Sequence, residues 1–354
     1  MKLGSIVVIA AKEKMLGDDP NVSRPVVKED LFPGSLACIE VGGTSVLERM
    51  IDRYLQAGVE AVVILVETGL PSSLFSTARE GVEVQFVDDL GSAIARRLSD
   101  FSSDGIEHAF VNSADAYVEV DLLDFVYFHR ESRQASTRAS DDRGPLDLWV
   151  ADCAKAQVAG MGKLSNTYEP SGNPYLVRGY ISRLMQPRDL RQFSIDVLNG
   201  RCQVGPSGNE IRPRVWIGEG AELHSRARVV APAYIGCRSK IREDAVITRS
   251  SNIERDCFID SATVIDNSSV LPNTHIGICL DVCNAVVEKN KFLSLDRGVT
   301  IAISEPRVMR STGTDRGKAA GLNATGRWQK ATTDIPAELP LRGAWQLGTN
   351  LFQE

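Results

Sequence analysis

Directly after the first apolar run of the chain stands a short charged segment, Lys12, Glu13 and Lys14, followed by Met15, Leu16 and a single Gly17. The loop after the first strand of a doubly wound domain is a common phosphate site, because backbone N–H groups and a helix N-terminus converge there. Such cradles depend on glycines, which let the backbone approach the anion. One glycine remains here, and the chemistry left is that of ammonium groups. A lysine attracts phosphate as a point charge without glycines, so Lys12 and Lys14 are the candidates for nucleotide phosphate. Four histidines and seven cysteines show no zinc-ligand spacing, and Cys279 and Cys283 do not form a CxxC pair. Scattered cysteines in odd number imply reduced thiols and a cytoplasmic setting.

The chain has 354 residues, enough for two domains, and a formal charge of −6. A nucleic-acid backbone selects for basic faces, and isolated runs such as Arg96–Arg97 do not make one. Nucleic acid is therefore excluded as the main partner. Lys2 and the apolar run to Ala11 are cut short by Lys12, Glu13 and Lys14, which reads as a buried strand and not a leader. No stretch approaches the ~20 apolar residues a membrane helix needs, so no membrane partner is expected.

The elements that must position these residues alternate. "SIVVIA", "EAVVILVE", "VEVQFV", "HAFVNSAD" and "LDLWVADC" read as strands. In "TSVLERMIDRYLQAG", Val46, Leu47, Met50, Ile51, Tyr54 and Leu55 share one helix face and Gly58 can end it. "LGSAIARRLSDF" and "DLLDFVYFHRES" read as helices, the second with Asp121 as N-cap. Residues 132–145 read as a polar loop. "NPYLVRGYISRLMQPRDLRQFSIDVLNG" mixes a short strand with a helix ending near Gly200. Strand–helix alternation implies an α/β domain with a mostly parallel, Rossmann-like sheet over residues 1–205.

From Ile217 the period becomes six. Ile217, Leu223, Val229, Ile235, Ile241, Ile247, Ile253, Ile259, Ile265 and Leu271 are all aliphatic. Ala221, Ala227, Ala233, Ser239, Ala245, Ser251, Cys257, Thr263 and Ser269 are all small. Each hexad makes one flat face of a triangular coil, with the aliphatic on the axis and the small residue at the crowded corner. Repeats outrank local readings, so residues 206–308 are expected to form a parallel β-helix. The repeat falters at "LPNTHIGICLDVC", and two or three ordinary strands follow. Residues 309–354 are rich in Gly, Thr and Ala without periodicity and read as a disordered tail, with Trp328 and Trp345 as docking anchors or stray aromatics.

An α/β domain followed by hexads resembles the sugar-phosphate nucleotidyltransferases, such as the mannose-1-phosphate guanylyltransferases, over residues 5–305. "VGGTSVLERMIDRYLQAGVEAVVI" is similar to the family's "VGGKPVLEHILERLKEAGI", "LGSAIA" to "LGTAGA", and "VNSADAYVEVDLLDFVYFHRE" to "VLNGDVLFDVDLSALLAFHRE". The resemblance implies a left-handed coil and a reaction of NTP with sugar 1-phosphate that releases pyrophosphate. It implies that Asp115 binds Mg²⁺ and that Gly91 and Ser92 approach the nucleotide. It implies nucleotide sugars and sugar 1-phosphates as partners, in polysaccharide metabolism. Where the family has GxGxRL, this chain has no Arg. Ser35–Leu36 stands where the family has its Pro-Lys pair, and no second metal aspartate precedes the coil. These losses imply weak or absent turnover, since removing one charge-stabilising group costs on the order of 10² to 10³ in rate.

Two other classes stay open. A scaffold without its polar site can be a nucleotide-sugar sensor, or a subunit regulating an active paralogue. Coils of this kind also serve acyltransferases, which makes His224 and His275 candidate bases, the latter at a corner where the repeat ends. His108 and His129 read as surface residues. Coil stacking points to a homo-oligomer or a hetero-oligomer.

Overall fold

The computed structural model describes residues 1–10, 35–75, 79–155 and 173–312, and a backbone strand at 328–330. Lys12 and Lys14 lie outside the described residues. The chain is a mixed α/β protein with mostly parallel sheets. Among the described residues no helix is long and apolar enough to cross a membrane.

The first half runs β1 (Leu3–Ile9), a small hairpin β2 (Glu40–Val41) and β3 (Thr44–Ser45), α1 (Val46–Gln56), β4 (Ala61–Glu67), β5 (Val82–Val87), α2 (Leu90–Ser103) and β6 (His108–Ser113). It continues with β7 (Ala116–Val118), α3 (Leu122–Ser132), β8 (Ser136–Asp141), β9 (Gly144–Asp152), β10 (Tyr175–Leu176), β11 (Ile181–Arg183) and α4 (Pro187–Leu198). The main sheet has the order β10-β8-β9-β6-β1-β4-β5. β1 pairs in parallel with β4 and with β6, and every residue of β1 is buried. That explains its unbroken apolar run, since a central parallel strand is covered on both faces.

Helix starts follow local chemistry. Ser45 and Glu48 form a reciprocal capping box at α1, with Glu48 N–H donating to Ser45 Oγ at 3.1 Å and Ser45 N–H to Glu48 Oε2 at 2.9 Å. Asp121 caps α3 by accepting from the N–H groups of Leu123 and Asp124, as its sequence position predicts. The core under the sheet joins Tyr54 and Phe110, with ring centroids 5.5 Å apart, to Phe125. Truncating a fully buried residue such as Ile64 to Ala would cost about 2–5 kcal/mol.

Residues 132–145 correct the sequence reading. From Ser136 onward they are not a loop but part of the antiparallel hairpin β8–β9. Its strand β8 is polar yet buried, because its polar groups have partners. The Arg138 guanidinium lies 4.9 Å over the Trp149 ring and pairs with Asp147 at 2.6 Å. Thr137 Oγ1 sits 2.7 Å from His129 Nδ1. The same hairpin corrects the reading of His108 and His129. Both are buried, edge to face at 5.4 Å, because β8 and β9 close over them.

The second half is a β-helix-like coil. One parallel sheet stacks Val215–Ile217, Ala233–Ile235, Asn252–Ile253, Ser269–Val270 and Ala285–Glu288. A second stacks Glu222–His224, Lys240–Ile241, Phe258–Ile259 and Thr274–Ile276. A third stacks Arg228–Val229, Val246–Thr248, Val264–Asp266 and Asp281–Cys283. The chain visits the three in turn, and the hexad aliphatics from Ile217 to Ile265 fill the axis. The small corner residues do more than fit. Ser239, Ser251 and Thr263 each donate a hydroxyl to a carbonyl one turn on, at Glu254, Ile265 and Gly277.

The last predicted steps of the repeat are out of register. Val270, not Leu271, pairs with Ile253, and the corner hydroxyl is that of Ser268. One residue is missing between Ile265 and Val270, so the following turns pair Ile259 with Ile276 and Ile265 with Val282. The repeat therefore continues through the segment where it seemed to falter. His275 consequently lies within a strand, not at a corner. Leu271 leaves the coil axis and packs into the core of the α/β half.

Four further strands close the coil. Lys291–Ser294 and Val299–Ala302 extend the first sheet as an antiparallel hairpin. Met309–Ser311 pairs with Thr274–Ile276, and Trp328–Lys330 pairs with Glu222–His224. Residues read as a structureless tail thus supply strands at both ends of the second sheet.

One side of the coil is docked on the α/β half. Glu254, fully buried, accepts the N–H groups of Gly42 and Gly43, each at 2.8 Å, and the Asn252 amide at 2.7 Å. Gly43 has φ +83°, and a Cβ there would lie 2.0 Å from Ser207 Oγ and 2.2 Å from the Tyr234 hydroxyl. Only glycine suits this turn. Burial pushes the Glu254 carboxyl up to about 7, while Asn252, Gly42 and Gly43 pull it back. Arg191 of α4 enters the coil side and donates to Ser250 O at 2.9 Å and Asn267 Oδ1 at 3.0 Å. Burial pulls its guanidinium below the usual value.

Candidate functional site

Strands β1, β4, β5 and β6 run in parallel and end at one rim. The chain builds β4 and β5 on one side of β1 and then crosses to β6 on the other. The rim between β1 and β6 is thus the point where strand order reverses, the place where open α/β sheets bind ligands. Val8 pairs with Ser113, and Ala114 N–H donates to Val8 O at 2.9 Å. The turn that follows carries Asp115 onto this rim. Asp115 Oδ2 accepts the Ser113 hydroxyl at 2.8 Å, and its carbonyl accepts Leu184 N–H at 2.6 Å.

Gly91 and Ser92 open α2, which follows β5 at the same rim. Their N–H groups are the free donors of a helix N-terminus, suited to an anion. Asp89 occupies them. Its carboxylate accepts Gly91 N–H at 3.3 Å, Ser92 N–H at 3.1 Å and the Ser92 hydroxyl. Asp88, beside it, accepts the Thr68 hydroxyl at 2.6 Å. The described rim therefore presents carboxylates where a phosphate would be received. Sequence reasoning missed Asp89, although an Asp directly before a helix is an ordinary capping signal.

Asp115 is one carboxylate, and among the described residues no three His, Cys, Asp or Glu side chains converge on a point. Magnesium is commonly bound by one or two carboxylates together with substrate phosphates. Asp115 suits that shared arrangement and does not form a resident metal site. The Ser35 and Leu36 positions carry no phosphate chemistry. Ser35 caps a short turn by accepting Ala37 N–H at 3.2 Å, and Leu36 is buried.

A cleft of about 680 Å³ lies elsewhere. Its walls include Asp121, Asp124, Phe128, Tyr175, Arg178 and Gln203. β7 and β11 form an antiparallel ribbon, with Arg183 opposite Ala116 and Ile181 opposite Val118. Asp115 lies at one end of that ribbon and the cleft at the other. The structure does not bring Gly91, Ser92 or Asp115 into it. Tyr175 stacks on Phe125 at 4.5 Å and donates to Asp124 at 2.5 Å. The sequence signal was present in "DLLDF", where Asp124 stands free of the apolar helix face.

Neither protein-family models nor curated proteins match this chain. Its function therefore has to be read from the geometry. The candidate acyl-transfer bases are not brought together. His224 pairs through its backbone with Trp328 and accepts Arg226 N–H at 3.3 Å. His275 is buried beside Phe258, 5.2 Å between ring centres, with Asp260 at 3.8 Å. Burial holds its imidazole below the ordinary value, with Arg310 adding to the effect and Asp260 opposing it. Seven free cysteines complete the inventory, of which Cys279 and Cys283 are exposed.

Proposed function

We propose that the chain is a sugar-phosphate nucleotidyltransferase-like protein of nucleotide-sugar and polysaccharide metabolism, acting in the cytoplasm. In this reading its coil is a left-handed β-helix, and it binds a nucleotide sugar with little or no turnover. The observation that carries the reading is the place of Asp115. It stands beside the end of β1 at the reversal point of the sheet, on the same rim as the α2 helix start that Asp89 occupies, with β1 and β4 between the strands that carry them. An anion receiving site whose N–H donors are taken by a carboxylate stabilises developing phosphate charge poorly. Lys12 and Lys14 follow β1 in sequence and supply the positive charge for phosphate in this reading. Asp115 would be the protein carboxylate for a magnesium ion shared with substrate phosphates, and the ion would supply charge neutralisation there. A sensor, or a regulatory subunit of an active paralogue, follows from the same geometry.

The test combines pyrophosphate release with calorimetric titration, using NTPs, sugar 1-phosphates and nucleotide sugars in the presence of Mg²⁺. Binding of a nucleotide sugar that weakens in Asp115→Asn, without pyrophosphate release, is the expected result. Turnover at ordinary rates of about 1–10³ s⁻¹, lost in Asp115→Asn, overturns the non-catalytic reading. Absence of binding to all three ligand classes overturns the family reading.

A further inference from the structure

We infer that the Val299–Ala302 strand is the interface for a second copy of this chain, paired antiparallel to itself about a two-fold axis. The inference is independent of what the α/β half binds. This strand is the last of the first coil sheet, with a partner on one side only among the described residues. Unpaired strand edges recruit another chain unless charge, proline or a cover blocks them. Val299 and Ile301 are 48% and 51% exposed, and the strand itself holds no charge or proline.

The register follows from the hairpin. Ile303 N–H donates to Asn290 O at 2.7 Å, so Ile303 points its backbone groups at the neighbouring strand. Antiparallel strands alternate such residues. Ile301 and Val299 therefore point inward with Ile303, and Thr300 and Ala302 offer their N–H and C=O groups to the free edge. Self-pairing must set an outward residue against an outward one. Pairing Thr300 with the second copy's Ala302 satisfies this, and it sets Ile301 against its own copy and Val299 against Ile303. The apolar side chains then share one face, the face on which Phe292 packs toward the coil.

Charge selects this register over its neighbours. It brings Arg297, in the hairpin turn just before the strand, toward the segment that holds Glu305 of the second copy, twice by symmetry. A shift of one step in either direction would bring Arg297 toward Ile303 or toward Arg307 instead. Arg297 and Glu305 are both exposed. A closed two-fold contact of this kind uses one patch twice and ends at a dimer.

Sedimentation velocity on the full chain over a concentration series tests this. A dimer is expected. Arg297→Glu and Glu305→Arg should each weaken it about tenfold by placing like charges together. An equimolar mixture of the two variants should restore it, because each then meets its opposite. Thr300→Pro removes an outward N–H without touching the hairpin bonds and should leave a monomer. A wild-type chain that is monomeric at every concentration overturns the inference. So does a dimer indifferent to Thr300→Pro, or a mixture no tighter than the single variants.

Discussion

Replacing Glu254 by Gln tests a fully buried carboxylate that joins the two halves. The Glu254 carboxyl is raised from an ordinary value of 4.5 to about 7, chiefly by burial. Between those pH values the folded chain holds a proton that the unfolded chain has lost. Stability from this group is therefore complete below about pH 4.5 and falls as pH rises through 7. Each tenfold in a proton equilibrium is ~1.4 kcal/mol, so the loss amounts to about 3 kcal/mol by pH 8. Gln cannot ionise, so this slope disappears in the variant. It also sets an amide nitrogen against one of the two N–H donors of Gly42 and Gly43. A buried donor left unpaired costs about 1–3 kcal/mol. Urea unfolding at pH 5 should find Glu254→Gln the less stable by that amount. At pH 8 the wild type has lost its own ~3 kcal/mol, and the two should lie within about 2 kcal/mol of each other. Parallel pH curves for the two proteins would refute the reasoning, because they would mean that Glu254 ionises as easily folded as unfolded.

Other perturbations read other parts of the structure. Gly43→Ala places a Cβ against Ser207 and Tyr234 at a left-handed backbone position and should cost at least about 2 kcal/mol, measured by the same unfolding. His129 is held neutral, its imidazole lowered to about 4 by burial and then by His108. Its stabilisation is present above pH 6.5 and is lost as pH falls through about 4. NMR should find its ring still neutral at pH 5, and a ring titrating near 6.5 would contradict the burial described for it. Asp89→Ser keeps a polar cap on α2 while removing the charge. Nucleotide-sugar affinity should rise about three- to tenfold with helix stability changed by under ~1 kcal/mol, as calorimetry and thermal unfolding would show.

The strands and helices of the α/β half were legible because one buried face leaves a period in the sequence. β8 was not, because Thr137 and Arg138 are buried polar residues satisfied by His129 and Asp147, and hydropathy cannot see a partner distant in sequence. The misreading of His108 and His129 has the same origin, since the unseen hairpin is their cover. The coil was legible through nine hexad positions, Ile217 to Ile265, and then slipped by one, because a fixed period cannot register a missing residue. At the site, the resemblance led to Asp115, and the structure puts it on the sheet rim. The positions of Gly91 and Ser92 were also legible, but not what occupies their N–H groups. Asp89 caps its own helix first, and a local hydrogen bond of that kind forms irrespective of any ligand.

The missing residue between Ile265 and Val270 has one more consequence. In an unbroken repeat every turn is interchangeable, and nothing in the coil would say which turn meets the α/β half. The slip breaks that equivalence at one level. Just past the shortened step Leu271 faces the neighbouring core, one turn along from Glu254 and its grip on Gly42 and Gly43. A flaw in periodicity thus works as a landmark along a ruler. Inserting one residue between Ile265 and Val270 would return this step to six, keep Val270 on the axis with Leu271 beside it, and erase the mark that tells this turn from the others.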